Sequence, residues 1–185
     1  LTVPYLRVAN VQRGYLDLAD IKTIEVTEQI IEELRLQAGD ILFNEGGDRD
    51  KLGRGWVWDV EIENCIHQNH VFRARLCSSL ILPRYVSYYG NSGGSKYFLR
   101  EGKQTTNLAS INMTKLSRLP VPIAPSAEQR VLVAEIERRL SVADKAGEVI
   151  NQSLQHSLLL RQSILKRAFE GKLVPQDPND EPAEK

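Results

Sequence analysis

The spacing of hydrophobic and polar residues changes near Pro120, which divides the chain into two parts. Before Pro120, short runs rich in Val, Ile, Tyr and Phe alternate with turn residues, as in short strands joined by loops. Strands are predicted at residues 5–11, 40–43, 56–62 and 70–76. Hydrophobic residues at helical spacing predict short helices at residues 26–34 and 83–90. Residues 1–125 are therefore predicted to form a small, mixed α+β globular domain.

The second part of the chain is predicted to be one long helix, which follows the proline-rich sequence LPVPIAPS (119–126). Its three prolines favour an extended backbone. Ser126 and Gln129 then have the spacing of a capping box, which marks the start of a helix. No proline follows until after Gly171, a residue suited to the left-handed conformation that ends a helix. The predicted helix covers residues 126–170 and is roughly 66 Å long at about 1.5 Å per residue.

One face of this predicted helix carries apolar residues alternately three and four positions apart, which is the spacing of a coiled-coil seam. We predict that the helix forms an antiparallel coiled coil through Val133, Ile136, Leu140, Ala143, Ile150, Leu154, Arg161 and Ile164. The partner helix would come from a second copy or from chain outside this sequence. The alternative is a helix that folds back on itself at Gly147. Residues 171–185 are predicted to form an extended tail.

The charge distribution changes the expectation for binding partners. The formal net charge is zero, but residues 14–63 contain thirteen acidic and five basic side chains, whereas residues 65–118 contain one acid and eight bases. Either the two segments neutralise each other or the basic segment faces a polyanion.

Two cysteines do not make a disulfide framework, which favours a cytoplasmic location. No apolar run approaches the roughly 20 residues of a membrane span. Because the chain begins at Leu1, we expect its natural N-terminus to be missing.

Catalytic motifs are absent from the sequence, so we predict a protein without catalytic activity. Gly102-Lys103 lacks the remaining residues of a phosphate-binding P-loop, and no dinucleotide-binding or nucleophile-elbow pattern occurs. The sequence Cys65-x-His67-x-x-His70 suggests zinc, but on a strand the two histidines would point to opposite faces. We therefore predict no metal site.

Four polar segments carry residue types that bind nucleic acids: residues 44–55, 67–70, 91–98 and 100–112. Arg and Lys contact phosphates and guanine, and Asn and Gln pair with adenine. The candidate DNA-binding residues are Arg49, Lys51, Arg54, Gln68, Asn69, His70, Lys96, Lys103, Gln104, Thr105, Thr106 and Asn107. The alternative is that these are ordinary solvated loops, with Asp48 and Asp50 pairing with neighbouring arginines to stiffen a turn.

Several segments also resemble a known family, the specificity subunits of type I restriction–modification systems. The resemblance is carried, in the family's order, by PYLRVANVQ (4–12), GDILFNEGGDRDKLGRG (39–55), NCIHQNHVFRAR (64–75), TTNLASINMTKLSRLPVPIAPSAEQRVLVAEI (105–136) and RQSILKRAFEGKLVPQDPNDEPA (161–183). It implies a target recognition domain followed by a conserved helical region. A full specificity subunit has two of each, with antiparallel helices between domains that read the two halves of an interrupted DNA site. This chain has one of each and is either a C-terminal portion or a half-length subunit.

The resemblance also implies partners and cofactors. Modification subunits would bind S-adenosylmethionine and methylate adenine, and a restriction subunit would join them for ATP- and Mg-dependent cleavage, so this chain itself would bind none of these cofactors. It would bind double-stranded DNA without catalysing a reaction and would form a homodimer through the long helix when isolated. Two alternatives stay open: the recognition module of a fused restriction–methylation enzyme, and a coiled-coil adaptor whose domain binds a ligand other than DNA.

Overall fold

A computed structural model describes residues 1–47, 51–104, 109–175, 177 and 179, with the exception of the Gln104 side chain. The chain divides into two compact units, Leu1–Ala134 and Glu135–Lys185. The first unit contains small sheets and short helices, and the predicted α+β class is confirmed. The second unit is built on the long helix, which begins in the first.

The described residues contain nine strands and five helices. The strands are β1 (Thr2–Leu6), β2 (Lys22–Glu25), β3 (Asp40–Asn44), β4 (Gly46–Gly47), β5 (Gly55–Trp58), β6 (Ile66–His67), β7 (Val71–Ala74), β8 (Lys103–Gln104) and β9 (Ala109–Ser110). The helices are α1 (Glu28–Leu34), α2 (Pro83–Asn91), α3 (Gly93–Glu101), α4 (Met113–Leu116) and α5 (Ser126–Phe169). The strands form three sheets in the orders β2-β1-β6, β5-β3-β7 and β4-β9-β8.

The β5-β3-β7 sheet lies at the centre of the first unit and is covered on both faces. Every residue of β3 and β5 is buried. Because successive side chains of a strand point to opposite faces, Ile41 and Phe43 pack with the residues of α2 and α3, Val86 and Phe98, on one side. Leu42 packs in a second cluster with Leu6, Val11, Leu36, Trp58, Cys65 and Val71. This burial on both faces explains why Ile41, Leu42 and Phe43 form a continuous apolar run rather than an alternating one.

Three of the predicted strands are shorter than expected. The strand predicted at 70–76 is β7, Val71–Ala74, and local backbone geometry ends the other two. The strand predicted at 56–62 stops at Trp58, and Val60 and Asn64 then adopt positive φ values of 63° and 53°, which are incompatible with a strand. The strand predicted at 5–11 runs from Thr2 to Leu6. It ends because the Asn10 side chain accepts from the amide of Arg7 at 2.9 Å and stabilises a turn.

The two glycines of the polar segment 91–98 favour a turn, but most of this segment is helix α3. The chain bends at Ser92, whose hydroxyl donates to the carbonyl of Tyr88 at 2.7 Å and so closes α2. The new helix then starts at Gly93 and is held by the buried ring of Phe98. Two glycines at the start of a segment are compatible with a helix when a buried aromatic residue fixes it to the core.

Helix α5 is continuous through Gly147, so the alternative of a hairpin at that residue is wrong. The helix ends as predicted: Gly171 has a φ of 65°, its amide donates to the carbonyl of Ala168, and the Lys172 amide donates to that of Arg167. These two bonds form a Schellman motif. From Glu137 to Phe169, every residue except Gly147 is exposed.

The predicted capping box at the start of α5 is wrong, because Gln129 is fully buried and bonds elsewhere. Its amide nitrogen donates to the carbonyls of Ala124 at 2.7 Å and Leu80 at 3.1 Å. Its oxygen accepts from the amide of Leu82 at 2.9 Å. Gln129 therefore attaches the first turn of the helix to the loop before α2, all within the first unit. Val133 is also buried in this unit, so the exposed apolar stripe of the single chain begins beyond it.

Candidate nucleic-acid interface

Two of the four polar segments meet in the small β4-β9-β8 sheet. Strand β4 belongs to the segment 44–55, and strands β8 and β9 belong to the segment 100–112. Gly46 pairs with Ser110 and Gly47 with Ala109, while Lys103 pairs with Ser110 across the hairpin from β8 to β9. Backbone pairing thus brings together segments that are more than fifty residues apart in the sequence.

Glu45 joins a third polar segment, 67–70, to this sheet. Its backbone amide donates to the carbonyl of His70 at 3.0 Å, and its carbonyl accepts from the amide of Ile111 at 2.8 Å. Its carboxylate lies 2.6 Å from Nδ1 of His70. Because Glu45 bonds to both neighbouring segments, three of the four predicted segments form one continuous surface in the first unit. The fourth, 91–98, contributes the exposed Lys96 on α3 and is not part of the small sheet.

Two glycines set the backbone of the segment 44–55. A Cβ at Gly46 would lie 2.7 Å from the carbonyl oxygen of Ala109, so only glycine permits the close pairing of β4 with β9. Gly53 has a φ of 65°, and a Cβ there would lie 2.1 Å from the ring of Phe98. The end of the segment is therefore packed against α3, and neither glycine can be replaced without moving its neighbour.

The predicted DNA-binding residues differ in how far they are exposed to solvent. Asn69, His70 and Lys103 are exposed, whereas Lys51, Arg54 and Gln68 are half-buried. One nitrogen of the Arg54 guanidinium lies 3.4 Å from the carbonyl of Val8, which places this side chain against the first turn of the domain. Arg49, Thr105, Thr106, Asn107 and the Gln104 side chain lie outside the described residues, as do Asp48 and Asp50, so the predicted stiffening pairs do as well.

A pocket of about 400 Å³ lies where the three joined segments meet. It is lined by Val8, Glu45, Gly46, Gly47, His70, Ala109 and Ser110. A second pocket of about 400 Å³ contains Gln68 and Asn69 together with apolar residues of β1, β2 and α1. The residues of the segment 67–70 therefore line two different pockets, with His70 at one and the two amides at the other.

Sequence reasoning missed Glu45, Val8 and Ser110, which line the first pocket without belonging to a recognisable motif. Glu45 lies within a predicted segment but is not among the candidate residues, because a carboxylate does not bind phosphates. Its position directly after a fully buried strand was the available signal, since residues at strand ends are held rigidly by the sheet. Val8 and Ser110 are brought to the pocket by contacts between distant parts of the chain, which no local pattern reveals.

Some of the bases in residues 65–118 have partners inside the domain. Arg75 forms a two-point ion pair with the fully buried Asp40, with distances of 2.7 and 2.8 Å. Arg73 donates to the carbonyls of Glu33 and Arg35 at the end of α1. Arg84 lies 2.5 Å from Asp59. For Arg75 and Arg84, which pair with acids of residues 14–63, the alternative in which the two charged segments neutralise each other is correct, whereas Arg73 bonds to backbone carbonyls. The cations available to a polyanion are therefore fewer than the sequence count suggests.

The described side chains of the Cys–His segment are not grouped as metal ligands, and the Cys65 thiol is buried. Within the described ranges, no group of three His, Cys, Asp or Glu side chains is arranged to hold a metal ion. Burial raises the pKa of the Cys65 thiol to about 12, so this thiol is protonated and unreactive at neutral pH. Burial also lowers the pKa of His67. None of the described helices is both long and apolar enough to cross a membrane.

Comparisons with known proteins agree with the resemblance seen in the sequence. No protein-family model matches the chain. The type I restriction enzyme EcoKI specificity subunit of Escherichia coli (strain K12) is 29% identical over 176 residues, which are 94% of this chain and 38% of that protein. The corresponding StySPI specificity subunit of Salmonella potsdam is 28% identical over 178 residues, again 94% of this chain and 38% of the relative.

A solved structure has the same fold. The crystal structure of the HsdS subunit from Thermoanaerobacter tengcongensis matches with a TM-score of 0.67 at 14% identity, over 99% of this chain and 46% of that one. The chain therefore spans less than half the length of these proteins. Its resemblance to type I specificity subunits, predicted from the sequence, is confirmed along nearly all of its length.

Proposed function

We propose that this chain is a DNA-recognition portion of a type I specificity subunit, without catalytic activity of its own. The observation that carries the proposal is the joining of three polar segments at Glu45, on a chain that resembles specificity subunits over 94% of its length. Sequence-specific readers need side chains held in fixed positions, so that base contacts and phosphate contacts occur together. Pairing among β4, β9 and β8 and the bonds of Glu45 supply that rigidity.

The exposed side chains of this surface are suited to two kinds of contact. Lys103 on β8 is an exposed cation for a phosphate, and Asn69 is an exposed amide for the edge of a base. Gln68 and His70 flank Asn69 and line the two pockets. Arg49, Lys51, Arg54, Gln104, Thr105, Thr106 and Asn107 remain proposed contacts from the sequence. Exposed Lys96 on α3 is proposed as a further phosphate contact.

We further infer that helix α5 joins two target recognition domains. Leu140, Ile150, Leu154 and Ile164 are 47%, 60%, 57% and 45% exposed in the single chain. A stripe of exposed apolar residues at heptad spacing favours a second helix. In an isolated chain that helix would come from a second copy in an antiparallel, two-fold arrangement. In a full-length subunit the other helix would come from the same polypeptide. Either arrangement would present two domains to an interrupted DNA site.

The proposed partners follow from this role. Modification subunits would supply S-adenosylmethionine and adenine methylation, and a restriction subunit would supply ATP- and Mg-dependent cleavage. Because such a complex acts on chromosomal DNA, we expect it in the cytoplasm. The exposed faces of α5 that are not used by the second helix are candidate docking surfaces for the modification subunits.

The proposal is tested by selecting preferred sequences from random DNA duplexes, with the chain alone and with its modification subunit. We expect enrichment of a defined sequence and, for Lys103→Ala, a similar loss of affinity on selected and random DNA with a salt slope smaller by about 1. Asn69→Ala should instead weaken discrimination at one base pair. Lys22→Ala is the matched control, since Lys22 is an exposed lysine that pairs with Asp20 near the β2-β1-β6 sheet.

Two outcomes would favour the alternatives. An adaptor without a DNA role would select no sequence and would not co-purify with an adenine methyltransferase. A recognition module of a fused enzyme would select a sequence, but the full-length gene product would contain the methyltransferase in the same polypeptide. Mass spectrometry of the purified natural complex distinguishes a fused enzyme from separate subunits.

A further inference from the structure

Glu45 is an acidic residue on a surface that we propose binds DNA, and its position there requires a reason. A carboxylate near phosphates repels them, so it weakens binding unless it makes a favourable contact of its own. In the major groove that contact is an amino group: cytosine presents its N4 amino group and adenine its N6 amino group, and carboxylates accept from such donors. Glutamate is thus an unfavourable residue for phosphates and a suitable one for an amino group.

The geometry around Glu45 fixes its carboxylate. The backbone on both sides is held by hydrogen bonds, to His70 at 3.0 Å and to Ile111 at 2.8 Å. Oε2 of the carboxylate lies 2.6 Å from Nδ1 of His70. The Glu45 side chain is 30% exposed. It is therefore accessible from solvent while its orientation is restricted, and an ionised carboxylate has lone pairs for more donors than one imidazole.

The pocket beside Glu45 has a size and a lining that suit the edge of a base. Its volume of about 400 Å³ lies within the usual range for ligand sites, about 300–1,000 Å³. Gly46 and Gly47 line it without side chains, so a base can approach the backbone closely. Val8 and Ala109 add apolar contacts. Among the residues described as lining this pocket, Glu45 is the only carboxylate.

We propose that Glu45, oriented by His70, accepts a hydrogen bond from the exocyclic amino group of one base in the recognised DNA sequence. Glu45 is thereby a specificity-determining residue, and His70 is a positioning residue that acts through it. This inference rests on the proposed function, because it assigns the chemistry of one contact within the proposed interface. The amino group belongs to either cytosine or adenine, and base analogues that lack one or the other amino group distinguish the two.

The test compares Glu45→Met with the wild-type chain on DNA carrying the selected sequence. Methionine has a similar length and keeps the backbone bonds, but it accepts no comparable hydrogen bond. Glu63→Met is the matched control, since Glu63 is an exposed acid that does not line this pocket. In each duplex one adenine is replaced by purine, which lacks the N6 amino group, or one cytosine by 2-pyrimidinone, which lacks N4. Binding is measured for every position with both proteins.

We expect one position at which removing the amino group weakens wild-type binding by roughly 5- to 150-fold. At that position the same change should have little effect on the Glu45→Met chain, while the other positions respond equally in both proteins. Glu45→Met should also bind random DNA more tightly than the wild type, because a repulsive charge is gone. The type of analogue at the responding position shows whether the base is adenine or cytosine. If Glu45 had only a structural role, Glu45→Met would not selectively abolish the effect of removing one particular amino group.

Equal responses of the two proteins at every position would overturn the inference. If Glu45→Met fails to fold, as judged by circular dichroism, then Glu45→Asp and His70→Phe replace it. The former withdraws the acceptor by one methylene group, and the latter removes its orienting partner. Both should reduce the effect of the analogue at the same single position, and unchanged responses in both would overturn the inference. If the wild-type chain selects no sequence even with a modification subunit, the proposed function fails as well.

Discussion

Replacing Leu154 with alanine should weaken the proposed dimer by an amount that the exposure of this side chain allows us to estimate. Full burial of a leucine side chain contributes about 1.5–3 kcal/mol. Because Leu154 is 57% exposed in the single chain, a partner helix can bury a little over half of it, worth about 1 kcal/mol per copy. A two-fold interface contains the residue twice. The expected loss of about 2 kcal/mol corresponds to a dimer dissociation constant raised roughly 30-fold.

Leu159 provides a matched control for this substitution. It is 65% exposed and lies on the same helix, but the heptad spacing places it on the face opposite the seam. Sedimentation equilibrium over a concentration series gives the dissociation constant for both variants. We expect Leu159→Ala to leave it unchanged within error. The coiled-coil reasoning is refuted if the wild-type chain stays monomeric at tens of micromolar, or if both variants shift the constant equally.

Three further predictions concern stability and ionisation. Gln129→Ala removes three hydrogen bonds from a buried site and should lower the unfolding free energy by about 1–3 kcal/mol in urea titrations, whereas Gln152→Ala on the exposed helix should change it little. Gly147→Ala should raise the thermal midpoint of helix α5, measured by circular dichroism, because the added Cβ meets no atom within 4 Å beyond its own stretch of helix and alanine favours a helix by about 1 kcal/mol. Hydrogen bonds from Arg138 and, to a smaller extent, Arg139 lower the pKa of Glu135 from 4.5 to about 2. The stabilisation of helix α5 by these bonds is therefore present above pH 4.5 and is lost as the pH falls towards 2. Carboxyl NMR titration should show that low midpoint, and Arg138→Gln should raise it.

The sequence predicted elements whose determinants are local. Helix α5 ends where Gly171 allows a positive φ, and its hydrophobic spacing is continuous across Gly147. The buried strand β3 follows from an apolar run, and α1 begins after Thr27, whose hydroxyl accepts from the amide three residues on. Each of these features depends on residues within a few positions of one another.

The errors arose where distant residues determine local structure. Gln129 has the spacing of a cap, but a loop almost fifty residues earlier in the sequence offers it two backbone partners, the carbonyl of Leu80 and the amide of Leu82. Helix α3 contains two glycines and forms because Phe98 packs in the core. The pairing of Glu45 with His70 spans 25 residues and depends on the sheet that brings them together. A pattern along the chain records residue types, and it does not record which backbone groups tertiary packing leaves without partners.

The number of cations that the first unit offers to DNA bears on the proposed role of helix α5. Arg73, Arg75, Arg84 and Lys115 have partners within the first unit, so a single unit offers DNA fewer cations than its sequence suggests. Because counterion release by cations supplies most of the non-specific affinity for DNA, one unit should bind weakly and with a shallow dependence on salt. In the proposed arrangement, two units joined through a coiled coil would bind with a high effective concentration at the second half-site. On this reasoning the helix raises affinity as well as setting the spacing, and a seam variant such as Leu154→Ala should lose DNA affinity in parallel with dimerisation while keeping the same base preferences.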